Sequence, residues 1–450
     1  MSKVIKLKKG LDIQIKGEAA NVLEHIAKPE TFAIKPTDFH GLIPKLTVKV
    51  GDTVKAGTPL FFDKYQPEVN FTSPVSGEVV AINRGERRKV LEVVVKADGA
   101  DLSEDFGKVD PQKLSTDEIK ALLMKSGLWA TVKTRPFGII ARPTDQPKAI
   151  FISCFDSSPL APDFDFILKG EESSWQAGIN ALLKLGNGKV NLGLSAKKEN
   201  KLFASTQGVQ LNYFDGPHPA GNVGIQIAAV SPINKGEVVW TVAPQDVVTI
   251  GKLLLTGKFD ASKIVALVGS EVKEPKYYRF WKGANLSVLL KNHLEGKNNR
   301  IISGNILTGT AVAADNFLGY YDSMVSVIPE GNYYEMFGWA TPGFGKFSPS
   351  RTFFSWMGSG KKKYILDTNM HGEARAFVLS DQYEQVLPMD ILPVYLLKAI
   401  LANDIDAMEQ LGIYEVVEED LALCEYICTS KIKVQSILRG GINSMIKELS

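Results

Sequence analysis

The residues able to do chemistry are few and scattered. Three cysteines, Cys154, Cys424 and Cys428, are too few for a disulfide framework and fit a reducing cytoplasm. The five histidines (His25, His40, His218, His293, His371) include no pair at zinc-ligand spacing. Two segments combine aromatic rings with hydrogen-bonding groups: Phe32, Phe39 and His40 in ETFAIKPTDFHGLIP, and Trp129, Arg135 and Phe137 in GLWATVKTRPFG. Those types occur in apolar ligand slots that carry a few polar groups; ordinary packing with a surface Arg is the competing reading. A loop, DGPHPAGNVG, sets His218 among Gly216, Gly221 and Gly224. Backbone can approach an anion or a ring there, yet the glycine spacing matches no dinucleotide fingerprint, so a rigid turn is expected.

The elements that must position these residues begin with a doubled Gly-turn pattern between Val48 and Arg88, VKVGDTVKAGTPLFFDKYQPEVNFTSPVSGEVVAINRGERR. Gly51-Asp52 and Ser76-Gly77 mark turns, and Leu46, Val48, Val50, Val79, Ala81, Val93 and Val95 alternate as half-buried strands would. The pattern resembles a biotinyl/lipoyl-like barrel sandwich, in which a lysine after an aspartate carries the prosthetic group. Asp63 and Lys64 stand in that place. The hairpin YQPEVNFT is roughly two residues longer than a carrier hairpin and holds Pro67, so an exposed, unmodified Lys64 is expected.

A chain of 450 residues exceeds one core and suggests three or four domains. A net charge of +2 calls for no nucleic-acid partner, and 44% hydrophobic residues is globular composition. MSKVIKLKKG lacks the apolar stretch of a signal peptide, and no segment reaches the roughly 20 apolar residues needed to span a bilayer. The expected chain is soluble or peripheral to a membrane.

The expected architecture is α/β and multidomain. Residues 1–100 form the barrel sandwich, and an acidic linker leads into the helix STDEIKALLMKSG, with Ser115 or Thr116 as N-cap and Gly127 past its end. Alternating strands and helices make 112–256 a Rossmann-like α/β domain. Strand, strand, helix and further strands make 260–330 a β-grasp (SLBB or ubiquitin-like) domain. Residues 331–380 are an aromatic, Gly-rich β or loop region, and 381–450 a helical bundle whose first helix follows Asp390.

Several long blocks, among them GPHPAGNVGIQI, VVWTVAPQDVVTIGKLLLTGKFD, FLGYYDSMVSVIPEGNYYEMFGWATPGFGKFSPSRTFFSWM and LDTNMHGEARAFVLSDQYEQVLPMDILP, resemble the A-subunit family of sodium-translocating NADH:quinone reductases over nearly the whole chain. The resemblance implies a respiratory complex of bacterial inner membranes that passes electrons from NADH to ubiquinone and exports sodium. It implies a cytoplasmic, peripheral component, inactive alone, docked on the other five subunits (B to F) and chiefly on the membrane-embedded B subunit. NAD, FAD, FMN, riboflavin and iron-sulfur centres would belong to those partners, and no nucleic acid is involved. The family is related to the C subunit of the Rnf complex and to the flavin-binding subunit of respiratory complex I.

Two departures from those flavin-binding and cluster-binding relatives matter. Where they carry a Gly-rich phosphate loop, this chain has Trp129, Lys133, Arg135 and Phe137. Where they carry a C-x2-C-x2-C-x3-C run, the spacing laid back from Cys428 and Cys424 falls on Leu421 and Glu418. No cofactor or metal is expected on this chain, and the two cysteines are expected to pack on one helix face. The family's association with quinones makes Phe32, Phe39, His40, Trp129, Arg135 and Phe137 the expected quinone-binding set. The block Tyr333 to Trp356 is expected either to contact a membrane-embedded partner or to be buried in the chain, and Lys361, Lys362 and Lys363 suit anionic headgroups. The alternatives are a biotin or lipoyl carrier fused to a flavin- or NAD-dependent oxidoreductase, and a free-standing oxidoreductase.

Overall fold

The computed structural model describes residues 4–198, 201–357, 362–378 and 380–449. Near the N-terminus two small antiparallel sheets face each other. One runs in the order Thr31–Ile34, Val90–Ala97, Gly77–Arg84, Thr53–Val54; the other Pro44–Leu46, Pro59–Asp63, Gln66–Thr72. Alternation drives this unit: Val79, Val93 and Val95 are buried, and the Phe61 and Phe71 rings stack at 4.8 Å. Gly77 begins its strand at φ +156°, where a Cβ would lie 1.9 Å from the carbonyl oxygen of Lys96. Lys64 and Tyr65 form the tip of the Pro59–Asp63/Gln66–Thr72 hairpin, and Lys64 is exposed.

Two strands within the first 25 residues pair outside these two sheets. Val4–Lys6 pairs in parallel with Gln210–Asp215, and Ala20–His25 with Lys276–Trp281. Each completes the edge of a remote sheet, where its backbone groups find partners that no local strand offers.

The seven-stranded sheet has the order Val4–Lys6, Gln210–Asp215, Val190–Ser195, Ile150–Ser153, Val239–Thr241, Lys133–Arg135, Ile139–Ile140. Its first five strands are parallel, and the chain reverses direction of travel on either side of Ile150–Ser153. Helices Glu172–Leu185 and Pro244–Thr256 cross closely on one face. Helix Thr116–Ser126 starts with the Ser115/Glu118 capping box and stops at Gly127, φ +81°.

A six-stranded mixed sheet follows, in the order Thr310–Val312, Asn299–Ser303, Met324–Pro329, Ser262–Val268, Lys276–Trp281, Ala20–His25. Its middle pair, Met324–Pro329 and Ser262–Val268, is parallel. Residues 331–380, expected as β or loop, are loop among the described residues, with one 3-10 turn, Phe354–Met357, and an isolated bridge between Ile15 and Tyr364; the short helix Gln382–Val386 follows. Pro342, Gly343, Gly345 and Pro349 interrupt any ladder there. The C-terminal region is helical, with Pro393–Leu401 and Val434–Glu448 its longest helices. The first of these starts at Pro393 rather than directly after Asp390, because proline is accommodated in the first helical turn.

Candidate functional site

Loop 35–44 leaves strand Thr31–Ile34 through the 3-10 turn Pro36–Asp38. Asp38 fixes it by accepting the Tyr320 N–H at 2.9 Å, with Lys35 at 3.6 Å. That anchor drives the buried Phe39 ring among Phe71 (4.6 Å), Tyr320 (5.0 Å) and Tyr321 (5.7 Å). On the other side, the Lys133 ammonium lies 3.5 Å from the Tyr321 ring centroid, and the Tyr321 hydroxyl donates to the Ala130 carbonyl at 2.7 Å. Tyr321 thus joins the two aromatic-polar segments of the sequence. Burial, with Tyr320 alongside, holds its hydroxyl well above the ordinary phenol range. Burial likewise lowers the Lys133 pKa, outweighing the pull of Glu419.

A second bridge runs through the C-terminal helices. His40 Nε2 is 3.8 Å from Glu418 Oε1, and Arg439 grips both Glu418 oxygens while its Nη1 donates to the Phe137 carbonyl at 2.9 Å. Burial raises the Glu418 carboxyl, but the Arg439 bonds and charge outweigh it and leave the pKa lowered. His40 is pushed down by burial first and then by Arg439, so its imidazole favours the neutral form. Beside His40 a cleft of about 480 Å³ opens between loop 36–44 and the turn at 84–90, with Phe39 and Ile43 on one wall and Arg84, Arg88 and Val90 on the other.

The six expected residues divide into two groups. Phe39 and His40 lie at this junction, and the half-buried Phe137 is tied to it by its carbonyl, which accepts from Arg439, while its ring lies 6.0 Å from that of Tyr414. Arg135 lies behind the junction, 4% exposed, with Nη1 donating to Asp420 Oδ2 at 2.7 Å and Nη2 to Glu419. Its guanidinium is thus committed to carboxylates and does not present itself to a carbonyl. Phe32 is fully buried in strand Thr31–Ile34. Trp129 is fully buried too, edge-on to Trp240 at 5.4 Å with Nε1 donating to the Ala141 carbonyl. Both are core residues, and the whole turn Leu128–Thr131 is buried.

The residues that complete the junction are not legible as a site in the sequence. Glu418 figures there only as a missing cluster ligand, and Tyr321 and Arg439 carry no motif. The only sequence signal is the acidic run EED at 418–420 before a helix. Lys282 and Asp246, both buried, form an ion pair of 2.7 Å under Tyr320, and burial pushes the neighbouring Lys263 down to about 8. The His218 loop is a lock: His218 Nδ1 is 3.0 Å from Ser157 Oγ, which accepts the Gly221 N–H at 2.8 Å. Burial pushes the His218 pKa down to about 4.

Cys424 and Cys428 are buried, and the Tyr383 hydroxyl lies 2.9 Å from Cys428 Sγ. They do not share a helix face as expected, because helix Ala422–Ile427 ends before Cys428, whose backbone is extended (ψ 109°). Among the described residues no group of three or more His, Cys, Asp or Glu side chains could hold a metal ion.

Three family models match successive parts of the chain: an NqrA N-terminal barrel-sandwich hybrid domain over residues 5–98, an NqrA second alpha/beta domain over 114–259, and an NQRA C-terminal domain over 264–314. Full-length relatives match as well. The chain is 40% identical over 448 residues to the A subunit of the Na(+)-translocating NADH-quinone reductase of Yersinia pestis bv. Antiqua, covering 99% of this chain and 100% of that protein. It is 40% identical over 451 residues to the protein of the same name from Actinobacillus pleuropneumoniae serotype 5b, and 38% over 449 to that of Photorhabdus laumondii, with the same coverage.

Proposed function

This chain belongs to the A-subunit family of Na(+)-translocating NADH-quinone reductases, and we propose that within such a complex it is the peripheral member that docks on the membrane subunits and forms part of a quinone site. Among the described residues no helix is long and apolar enough to cross a membrane, which suits attachment through partners on the cytoplasmic face. NADH oxidation and the flavin and iron-sulfur chemistry are assigned to the other five subunits. The sheet reversal at Ile150–Ser153 supports a Rossmann-like ancestry for the second unit, and the parallel middle pair of the six-stranded sheet supports a β-grasp third unit.

One observation supports the quinone reading: loop 35–44, which lines the cleft, is tied to a second aromatic-polar segment about a hundred residues further on, through Tyr321 and through the His40–Glu418–Arg439–Phe137 bridge. The cleft volume lies in the range for small-molecule sites. Phe39 and Ile43 offer apolar faces, and neutral His40 offers a donor to a carbonyl, while Arg135 orders the acidic run behind them.

Photo-crosslinking with an azido-quinone tests this. Saturable labelling of peptides spanning 36–43 and 133–138, competed by unlabelled quinone and reduced several-fold in His40→Ala, is expected. Labelling that does not saturate, or lies elsewhere, would overturn the quinone assignment and leave docking. Reduction of quinone by NADH with the isolated chain would overturn the placement of redox chemistry on the partners. The carrier alternative is not favoured, since the relatives span the whole chain under the one reductase name; intact mass checks Lys64 for an adduct.

A further inference from the structure

Residues 333–357 hold nine large apolar side chains turned outward: Tyr333, Tyr334, Met336, Phe337, Trp339, Phe344, Phe354, Trp356 and Met357, each at least half exposed, with Met336 at 83% and Trp339 at 81%. Of the two readings of this block, contact with a partner or burial within the chain, burial is not what these nine side chains show. Isolated exposed hydrophobics are ordinary, whereas a cluster of this size marks a surface that meets something apolar. The segment is nevertheless fastened at its base. Phe347 packs edge-on against Tyr364 at 5.5 Å, Tyr364 bridges to Ile15, and the Tyr333 hydroxyl donates to Asp367 at 2.6 Å.

We propose that this patch is a lipid-surface element that lies in the headgroup layer of an anionic bilayer, with its aromatic rings reaching the acyl boundary. Three features select lipid over a protein face. The side chains are the Trp, Tyr and Phe of interfacial belts, mixed with Met and flanked by cations. Between 333 and 363 the sequence has five Lys or Arg (Lys346, Arg351, Lys361, Lys362, Lys363) against one acid, Glu335; Lys346 pairs with Glu335 and Lys363 with Glu18 at 2.6 Å, and Lys361 lies outside the described residues. Lysine is depleted from protein interfaces but favoured near anionic headgroups. Arg351 sits 5.8 Å from the Trp356 ring, and Lys362 bonds the Phe344 carbonyl, so charge and ring share one rim. The backbone is irregular apart from Phe354–Met357, so its amides need water or headgroups, which fixes the depth at the interface and excludes the hydrocarbon centre.

The test is flotation of the purified full chain with vesicles of phosphatidylcholine alone and of phosphatidylcholine with phosphatidylglycerol, without quinone or NADH, so that its outcome is independent of the quinone reading. Binding to the anionic vesicles, weakened by salt, is expected. Lys362→Gln with Lys363→Gln should lower partition roughly tenfold or more, since one cation near the surface counts for about fivefold. Brominated lipid should quench tryptophan fluorescence in the wild type and lose most of that effect in Trp339→Ser/Trp356→Ser. Trp129, Trp175 and Trp240 are buried beyond reach and report that the variant is folded. Equal partition to neutral and anionic vesicles, or no quenching, would overturn the proposal. Binding only to vesicles carrying the membrane subunits would overturn it too and assign the patch to a protein partner.

Discussion

His218 has the neighbours of a chemical site, prolines and glycines, but its surroundings make it a proton-sensitive structural residue. It is 3% exposed, its Nδ1 meets Ser157, its backbone N–H donates to Asp12, and burial alone pushes its pKa down to about 4. The unfolded chain binds the proton first, near the ordinary 6.5, so the stability due to neutral His218 is complete above that value and is lost as pH falls towards 4. Between pH 7.5 and 4.5 this one group should cost about 2–3 kcal/mol. His218→Asn, which keeps an acceptor near the Nδ1 position without titrating, should flatten that part of the profile. Urea midpoints of both proteins across the range check it, and an unchanged slope would refute it. Arg135 teaches the converse. Its type suggests a surface cation or a ligand for a carbonyl, and nothing local reveals that its partner Asp420 lies 285 positions away.

At the scale of elements, what was legible had local chemistry. The helix Thr116–Ser126 was readable from Ser115, Glu118 and Gly127, and the small antiparallel sheets from alternation and glycine turns. Val4–Lys6 and Ala20–His25 were not readable as strands of distant sheets, because short strands show no periodicity and their pairing energy resides in the partner. Nor does composition distinguish glycines that admit close packing from idle ones. In helix Pro244–Thr256 a Cβ on Gly251 would stand 1.8 Å from the Ser174 carbonyl oxygen of helix Glu172–Leu185, and one on Gly178 would stand 2.1 Å from that of Val247. Gly440, exposed in helix Val434–Glu448, has no atom within 4 Å of the same position. Gly440→Ala should therefore stabilise by about 0.5–1 kcal/mol through helix propensity. Gly251→Ala should destabilise by about 1–3 kcal/mol despite the same propensity gain, because two helix backbones must separate. Urea unfolding of the pair decides it, and a shift of the same sign in both would sink the argument.

For the whole molecule, the units found by pattern are less separate than the pattern suggests. Domains within a chain usually move and unfold independently unless a large apolar interface joins them. Here one hydrophobic cluster runs from Ile13 through Phe39, Trp129 and Tyr320 to Met445. Polar fasteners lie inside it. Thr72 donates to the Ser126 carbonyl at 3.0 Å, Lys282 pairs with Asp246, and Arg135 pairs with Asp420, each contact linking different units with both partners largely sealed from water. Opening the seven-stranded unit, the six-stranded unit or the terminal helices would strand a buried charge in the remainder, a loss of about 3–5 kcal/mol per broken pair, while opening the N-terminal sheets would break the neutral Thr72 bond and expose the Phe39 and Phe71 rings. The chain is accordingly expected to unfold in urea as one transition. Trp fluorescence, to which the buried Trp129, Trp175 and Trp240 of the seven-stranded unit contribute, should coincide with far-UV circular dichroism, which reports every sheet and helix. A separate step seen by dichroism while the tryptophans remain native would show that the N-terminal sheets or the terminal helices open on their own. The His40–Glu418–Arg439 bridge would then be a contact that can part, and the cleft beside it would not persist as one site.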